Sequence, residues 1–126
     1  MPELETGDCN VCVLGYDGDE AEFYSSEIRK ARKQHKCCEC GGAILPGQSY
    51  EHVAGRWDGH MGTYKTCSLC VEIRTKFSCD GSWMFKSMWD SLREELFDRL
   101  TTGCLTGLSI PAREKILAEW RSWKGL

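Results

Sequence analysis

The fold is decided by Cys37-Cys38-Glu39-Cys40-Gly41-Gly42 and by Cys67-Ser68-Leu69-Cys70, with 26 residues between Cys40 and Cys67. Two thiolates at Cys-x-x-Cys spacing can bind one ion only if the chain curls back beneath it, and Gly41 permits the left-handed backbone of such a knuckle. The second pair leads into residues 71–77, a predicted helix whose positive N-terminal end favours thiolates. We therefore predict one closed tetrahedral site. Such sulfur sets suit zinc or iron, and zinc dominates structural sites. The predicted ligands of this site are Cys37, Cys40, Cys67 and Cys70.

The residues between the two pairs predict a β-hairpin, because two β-prone runs, 50–54 and 63–66, flank a glycine-bearing turn region at 55–59. A knuckle, a hairpin and a helix carrying the second ligand pair form a treble clef, here over residues 37–78. The predicted fold class is α+β, in which this zinc unit is followed by two amphipathic C-terminal helices in residues 82–126.

The two C-terminal helices are predicted from periodicity and capping residues. Residues 83–100 repeat apolar side chains at three- and four-residue steps, with Ser82 as the expected N-cap and Gly103 as the expected stop. A second helix is expected from Ser109, with Pro111 in its first turn.

Composition limits the class of protein. The chain has 126 residues and a net charge of −3, which predicts a single domain over residues 1–126. No apolar run approaches the ~18 residues of a membrane helix, and the acidic N-terminus has no apolar signal core. We therefore expect neither a membrane protein, a secreted precursor nor a multidomain enzyme. Nine cysteines, an odd number without a secretion signal, favour metal ligation over disulfides.

Charge is unevenly distributed in residues 1–36, the acidic N-terminal segment and its basic lead-in. Residues 1–28 carry eight acids and neither lysine nor arginine, whereas residues 29–36 carry five bases and no acid. The bases are Arg29, Lys30, Arg32, Lys33 and Lys36. Residues 22–36 show a weak helical stripe, and an extended approach to Cys37 is equally compatible with the pattern.

The remaining cysteines leave two interpretations open. Cys9-x-x-Cys12 is either an unpaired pair in an acidic tail or half of a second zinc site. Cys79 and Cys104 flank a predicted helix that would hold them more than ~25 Å apart, so they are not expected to share one ion. The predicted second site is Cys9, Cys12, Cys38 and Cys79. Cys104 is then expected to be a small buried apolar residue.

Several stretches carry a resemblance to a known group of proteins. They are Arg32-Lys33-Gln34-His35-Lys36-Cys37-Cys38-Glu39-Cys40-Gly41, residues 44–50, and Trp57-Asp58 ahead of Tyr64-Lys65-Thr66-Cys67. Over about residues 30–100 the chain resembles small treble-clef or zinc-ribbon-like zinc-binding proteins encoded by tailed phages and prophages. The layout is also similar to LIM-type fingers. The resemblance implies a bacterial cytoplasmic location and an accessory role, without a defined activity.

Catalysis is not expected. The treble clef is also the frame of His-Asn-His nucleases, but residues 67–77 contain no histidine, and His52 and His60 have no partner on the helix. A closed four-cysteine site leaves no position for a reactive water, and no open ligand set is present. A redox role for Cys9 and Cys12 is disfavoured because no thioredoxin-type strand and helix surround them.

Two kinds of partner remain, and neither a membrane nor a small-molecule substrate is expected. A host protein is the first prediction, with Trp120 or Trp123 as an anchor unless both pack in the core. Nucleic acid is the alternative, bound by the basic run 29–36 with Arg56, Trp57 and Tyr64 available for further contacts.

Overall fold

The structure, a computed structural model, describes residues 4–9, 13–14, 23–57, 59–78 and 85–125. Within them the fold is α+β, as predicted. The strands are β1 (Phe23–Lys30), β2 (His35–Lys36), β3 (Ala43–Ile44), β4 (Ser49–Trp57) and β5 (His60–Cys67), and the helices are α1 (Ser68–Phe77), α2 (Met88–Glu95) and α3 (Ile110–Lys124). The chain divides into two compact units. We call Tyr16–Val71 the sheet unit, and Met1–Gly15 with Glu72–Leu126 the helical unit.

The sheet unit contains a three-stranded antiparallel sheet in the order β1-β4-β5 and a two-stranded ribbon of β2 and β3. The hairpin expected between the cysteine pairs is present as β4 and β5, with longer strands than the sequence predicts. Residues 23–30 adopt the extended alternative, since all eight pair with β4. The register aligns Glu27 with His52 and Lys65, so these residues occupy one face of the sheet.

The second predicted helix is confirmed. Helix α3 begins after Ser109, whose hydroxyl accepts a hydrogen bond from the Ala112 backbone N–H at 3.3 Å, and Pro111 lies in the first turn. The Ser109 N–H and hydroxyl both donate to the carboxylate of Glu72, which fixes the start of α3 against α1.

The first predicted helix is shorter than expected. Helix α2 covers only Met88–Glu95 and follows Ser87, which makes no side-chain cap bond, while the expected cap Ser82 lies outside the described residues. A 3-10 turn, Phe97–Arg99, continues the path, and a second one, Thr102–Leu105, contains Gly103. Gly103 is therefore not a helix stop. The apolar periodicity of the sequence continues beyond the end of α2 because the 3-10 turn keeps the same side of the chain buried.

Each unit has its own buried residues. In the sheet unit the side chains of Ile44, Val53 and Thr66 are no more than 1% exposed. The helical unit buries a larger apolar set: Ile73, Phe77, Met88, Leu92, Leu96, Phe97 and Ile116. In the described part of the chain, no helix is long and apolar enough to cross a membrane.

Candidate metal centre

Cys37 and Cys40 lie in a tight turn between β2 and β3. The Gly41 N–H donates to the Cys37 carbonyl at 3.0 Å, and the Cys37 N–H donates to the Gly42 carbonyl at 2.9 Å, which closes the turn. Gly41 has a φ of +72°, a left-handed conformation that glycine adopts without strain. The Gly42 N–H points at the Cys40 sulfur, 3.4 Å away. This is the knuckle that the sequence predicts.

The second ligand pair lies where β5 passes directly into α1. Cys67 is the last residue of β5, and Cys70 lies in the first turn of α1. The Cys67 N–H donates to the Cys37 sulfur at 3.4 Å, which ties the second pair to the first. Helical N–H groups and the positive end of the helix both stabilise negative charge on these sulfurs.

The four sulfurs form a compact set. All of them lie within 4.8 Å of one another, and the Cys40 and Cys67 sulfurs are 4.0 Å apart. A tetrahedral zinc site with Zn–S bonds of ~2.3 Å separates its sulfurs by ~3.8 Å. Cys37 and Cys70 are buried, and Cys40 and Cys67 are partly exposed. The arrangement can therefore hold one metal ion after small adjustments of the side chains.

Without a cation, the four thiols of this cluster differ in how readily they ionise. The contact with Cys37 lowers the pKa of the Cys40 thiol, whereas contacts with Cys37 raise the pKa of Cys67 and of Cys70. Neighbouring thiolates repel one another, so they cannot all ionise together unless a positive charge lies between them. A divalent cation supplies that charge, which is the chemical reason that this donor set fits a metal.

The predicted second zinc site is wrong in its first ligand. Cys9 forms a disulfide with Cys104, with Cα atoms 4.9 Å apart, so Cys9 offers no thiolate and Cys104 is not an unpaired apolar residue. Cys12 and Cys79 lie outside the described residues. Cys38 is a free thiol whose sulfur contacts the Thr66 hydroxyl at 3.4 Å, and burial raises its pKa to about 11.

The basic run extends from the end of β1 through the loop that follows it into β2. Arg29, Lys30, Arg32 and Lys33 line an open cleft of about 880 Å³ together with Ala31, His35 and Tyr50; Lys36 is not among the lining residues. Arg29 is paired with Glu27, and the hydrogen bond between them raises the pKa of Arg29. Four cationic side chains therefore border one concave surface, and one of them, Arg29, is paired with an acid.

Sequence reasoning missed Lys65, which lies near this cleft. Partial desolvation lowers the pKa of His35 and of His52, and the positive charge of Lys65 lowers both further. Lys65 therefore lies close to the basic run, although 28 residues of sequence separate it from Lys36. The strand register that pairs Lys65 with His52 brings it there, so a correct alignment of the hairpin would have identified it.

The two tryptophans considered as anchors for a protein partner differ in their exposure to solvent. Trp120 is buried, and its indole N–H donates to the Phe97 carbonyl at 3.2 Å. It therefore belongs to the core. Trp123 is 42% exposed and contacts Phe97 edge to face, with ring centroids 5.9 Å apart.

Fold and site together define an α+β protein that, in the described part of the chain, contains one cluster of four cysteines able to hold a metal ion. No protein-family model, curated protein or solved structure matches it. The resemblance to phage-encoded zinc proteins rests on the residues quoted above and stays a prediction.

Proposed function

We propose that the chain is a non-catalytic, zinc-stabilised module of the treble-clef type that binds the phosphate backbone of nucleic acid. The observation that carries this proposal is the cleft bordered by Arg29, Lys30, Arg32 and Lys33. Phosphates are bound by such cationic clusters, largely through the release of condensed counterions.

The metal gives the cleft its shape in this proposal. Cys37 follows β2 directly, so a metal bound there fixes the end of the loop that carries the basic residues. Zinc is the proposed ion because four cysteine sulfurs close a tetrahedral shell. A shell of four thiolates leaves no position for a reactive water, which supports a structural role rather than hydrolysis.

Lys65 extends the cationic surface beyond the loop, since its positive charge acts on both His35 and His52. A backbone that follows the cleft would meet positive charge from the loop and from β5. Trp120 is buried and so offers no contact surface to a partner. This weakens the prediction of a host-protein partner, for which Trp123 remains as the candidate anchor.

The salt dependence of binding tests the proposal. Labelled duplex DNA, single-stranded DNA and RNA are titrated by fluorescence anisotropy against the zinc-loaded chain at increasing salt. If all five bases of the run contact phosphates, the log–log slope on duplex DNA should lie near −4 to −5, since each contact contributes about −0.9. Absence of binding to all three at ~50 mM salt would refute the proposal and make a protein partner the leading hypothesis.

Two matched double variants distinguish the contribution of the cleft to binding from the contribution of net charge. Arg32→Gln with Lys33→Gln should reduce the slope by about 1.8, because two phosphate contacts are lost. Lys76→Gln with Arg121→Gln removes the same charge outside the residues that line the cleft and should leave the slope unchanged. Equal effects of the two pairs would show that binding depends on overall charge alone.

A further inference from the structure

The disulfide anchors a segment that has little else to hold it. Residues 4–9 lie beside Thr101–Gly103, where the Thr102 N–H donates to the Glu5 carbonyl at 3.0 Å and the Gly103 N–H donates to the Gly7 carbonyl at 2.9 Å. The Thr101 hydroxyl also donates to the Gly7 carbonyl, at 3.0 Å. None of the six residues 4–9 is buried. Burial of apolar surface therefore contributes little to holding this segment.

The next described anchor lies further along the chain and is of a different kind. The N–H groups of Val13 and Leu14 both donate to the Phe77 carbonyl, at 3.2 and 3.1 Å, and both side chains are buried. This contact does not depend on the disulfide, so breaking the disulfide would release the chain only before Val13.

The two cysteines of the disulfide differ in accessibility. Cys104 is completely buried, and its sulfur lies 3.6 Å from the Thr101 hydroxyl. Cys9 is partly exposed and follows the exposed Asp8. We therefore expect an external thiolate to attack from the side of Cys9, with Cys104 as the leaving group. The Thr101 hydroxyl can donate to the departing thiolate.

We propose that Cys9–Cys104 is a reversible thiol–disulfide exchange site that latches residues 4–9 to residues 101–104 within the helical unit. The thiolate of a cellular dithiol attacks the Cys9 sulfur, the S–S bond breaks, and its electron pair goes to the Cys104 sulfur, which takes a proton. The second thiol of the reagent then attacks the mixed disulfide and releases Cys9. The dithiol leaves as a disulfide, both cysteines are reduced, and the segment with its acidic Glu5 and Asp8 becomes free.

The metal centre is compatible with this cycle, because the four ligand cysteines are free thiols in the same chain that holds the disulfide. Metal coordination protects those thiolates from oxidation and keeps them apart from the exchange reaction. The latch does not depend on nucleic-acid binding, so the proposed function and this inference can fail separately.

The test is limited proteolysis of the full-length, zinc-loaded chain with and without dithiothreitol. Glutamyl endopeptidase cleaves after Glu5, and mass spectrometry follows the loss of the N-terminal peptide. We expect cleavage to be at least ~10-fold faster after reduction, because a released segment can enter the active site of the protease and a docked segment cannot. Alkylation of the dithiothreitol-treated chain should label both Cys9 and Cys104 while the metal content stays constant.

Cysteine variants test the same release without a reductant. Cys9→Ser should give the fast cleavage without dithiothreitol, and Cys38→Ser, which removes a free thiol elsewhere, should retain the slow one. The proposal is overturned if the purified chain lacks the disulfide or if dithiothreitol fails to reduce it in the folded protein. It is also overturned if Cys9→Ser is cleaved as slowly as the unmodified chain.

Discussion

Removal of the disulfide by Cys9→Ser has an effect on stability that can be worked from the structure. The bond joins residues separated by 95 positions. In the chain-entropy description, a loop of that length restricts the unfolded chain by ~4.7 kcal/mol at 25 °C. If the folded state were otherwise unchanged, a chain of 126 residues would then lose ~18 °C in melting temperature.

The folded state is expected to change, and this reduces the loss. Residues 4–9 regain backbone freedom worth about 1 kcal/mol or more per residue once released. Release breaks the hydrogen bonds of three donors in Thr101–Gly103, each donor with a net value of about 1 kcal/mol. For six released residues the difference is a gain of about 3 kcal/mol, which offsets most of the loop-closure contribution. We therefore expect a net loss of stability of about 2 kcal/mol or less, equivalent to a fall of ~8 °C or less in melting temperature.

The assay is urea unfolding of the zinc-loaded chain, followed by tryptophan fluorescence. Trp89 and Trp120 are buried in the same unit as the disulfide and report on its unfolding. Cys38→Ser is the control for loss of a cysteine. A loss of ~4 kcal/mol or more in Cys9→Ser would refute the reasoning, because it would mean that residues 4–9 stay docked without the bond.

Three further changes test other parts of the structure. Cys67→Ser removes one of four ligands, so bound zinc should fall below about half an equivalent and amide exchange should show the sheet unit unfolded; retained protection would contradict the metal assignment. Gly103→Ala places a Cβ 2.3 Å from the Gly7 carbonyl oxygen and should cost about 2 kcal/mol in urea unfolding. That cost should shrink in the Cys9→Ser background, and equal costs in both backgrounds would argue against release. Leu92→Ala truncates a side chain with 0% exposure and should lower stability by ~2–5 kcal/mol, whereas a loss under ~1 kcal/mol would place Leu92 outside the core.

Features set by neighbouring residues could be predicted from the sequence. The Cys37–Cys40 knuckle needs only a short turn with Gly41 in a left-handed conformation. The start of α3 needs a hydroxyl at Ser109 and a proline that lacks an N–H, and both requirements are local. Ligand spacing and helix caps are therefore readable from one segment at a time.

Features set by distant residues could not be predicted. Nothing near Cys9 indicates Cys104, because the pairing depends on Gly103 allowing the backbone of residues 7–9 to approach within contact distance. The strand β1 has weak local periodicity and becomes a strand through its pairing with β4. In α2 the apolar stripe continued past the end of the helix, since Leu96 and Leu100 are buried without being helical. A hydrophobic period shows which side of the chain is buried and leaves the backbone conformation open.

The cysteines serve the two units in different ways, and unit size gives the physical reason. Both units are shorter than the ~80 residues below which an apolar core alone seldom stabilises a fold. We propose that the sheet unit gains its additional stability from metal coordination by Cys37, Cys40, Cys67 and Cys70, which come from the knuckle and from the junction of β5 with α1. The helical unit has a larger apolar core and carries a covalent link between its two chain segments. A chelator should therefore act on the sheet unit, and a dithiol on residues 4–9. In these two proposals, the same residue type gives this chain one cross-link that responds to metal supply and another that responds to redox state.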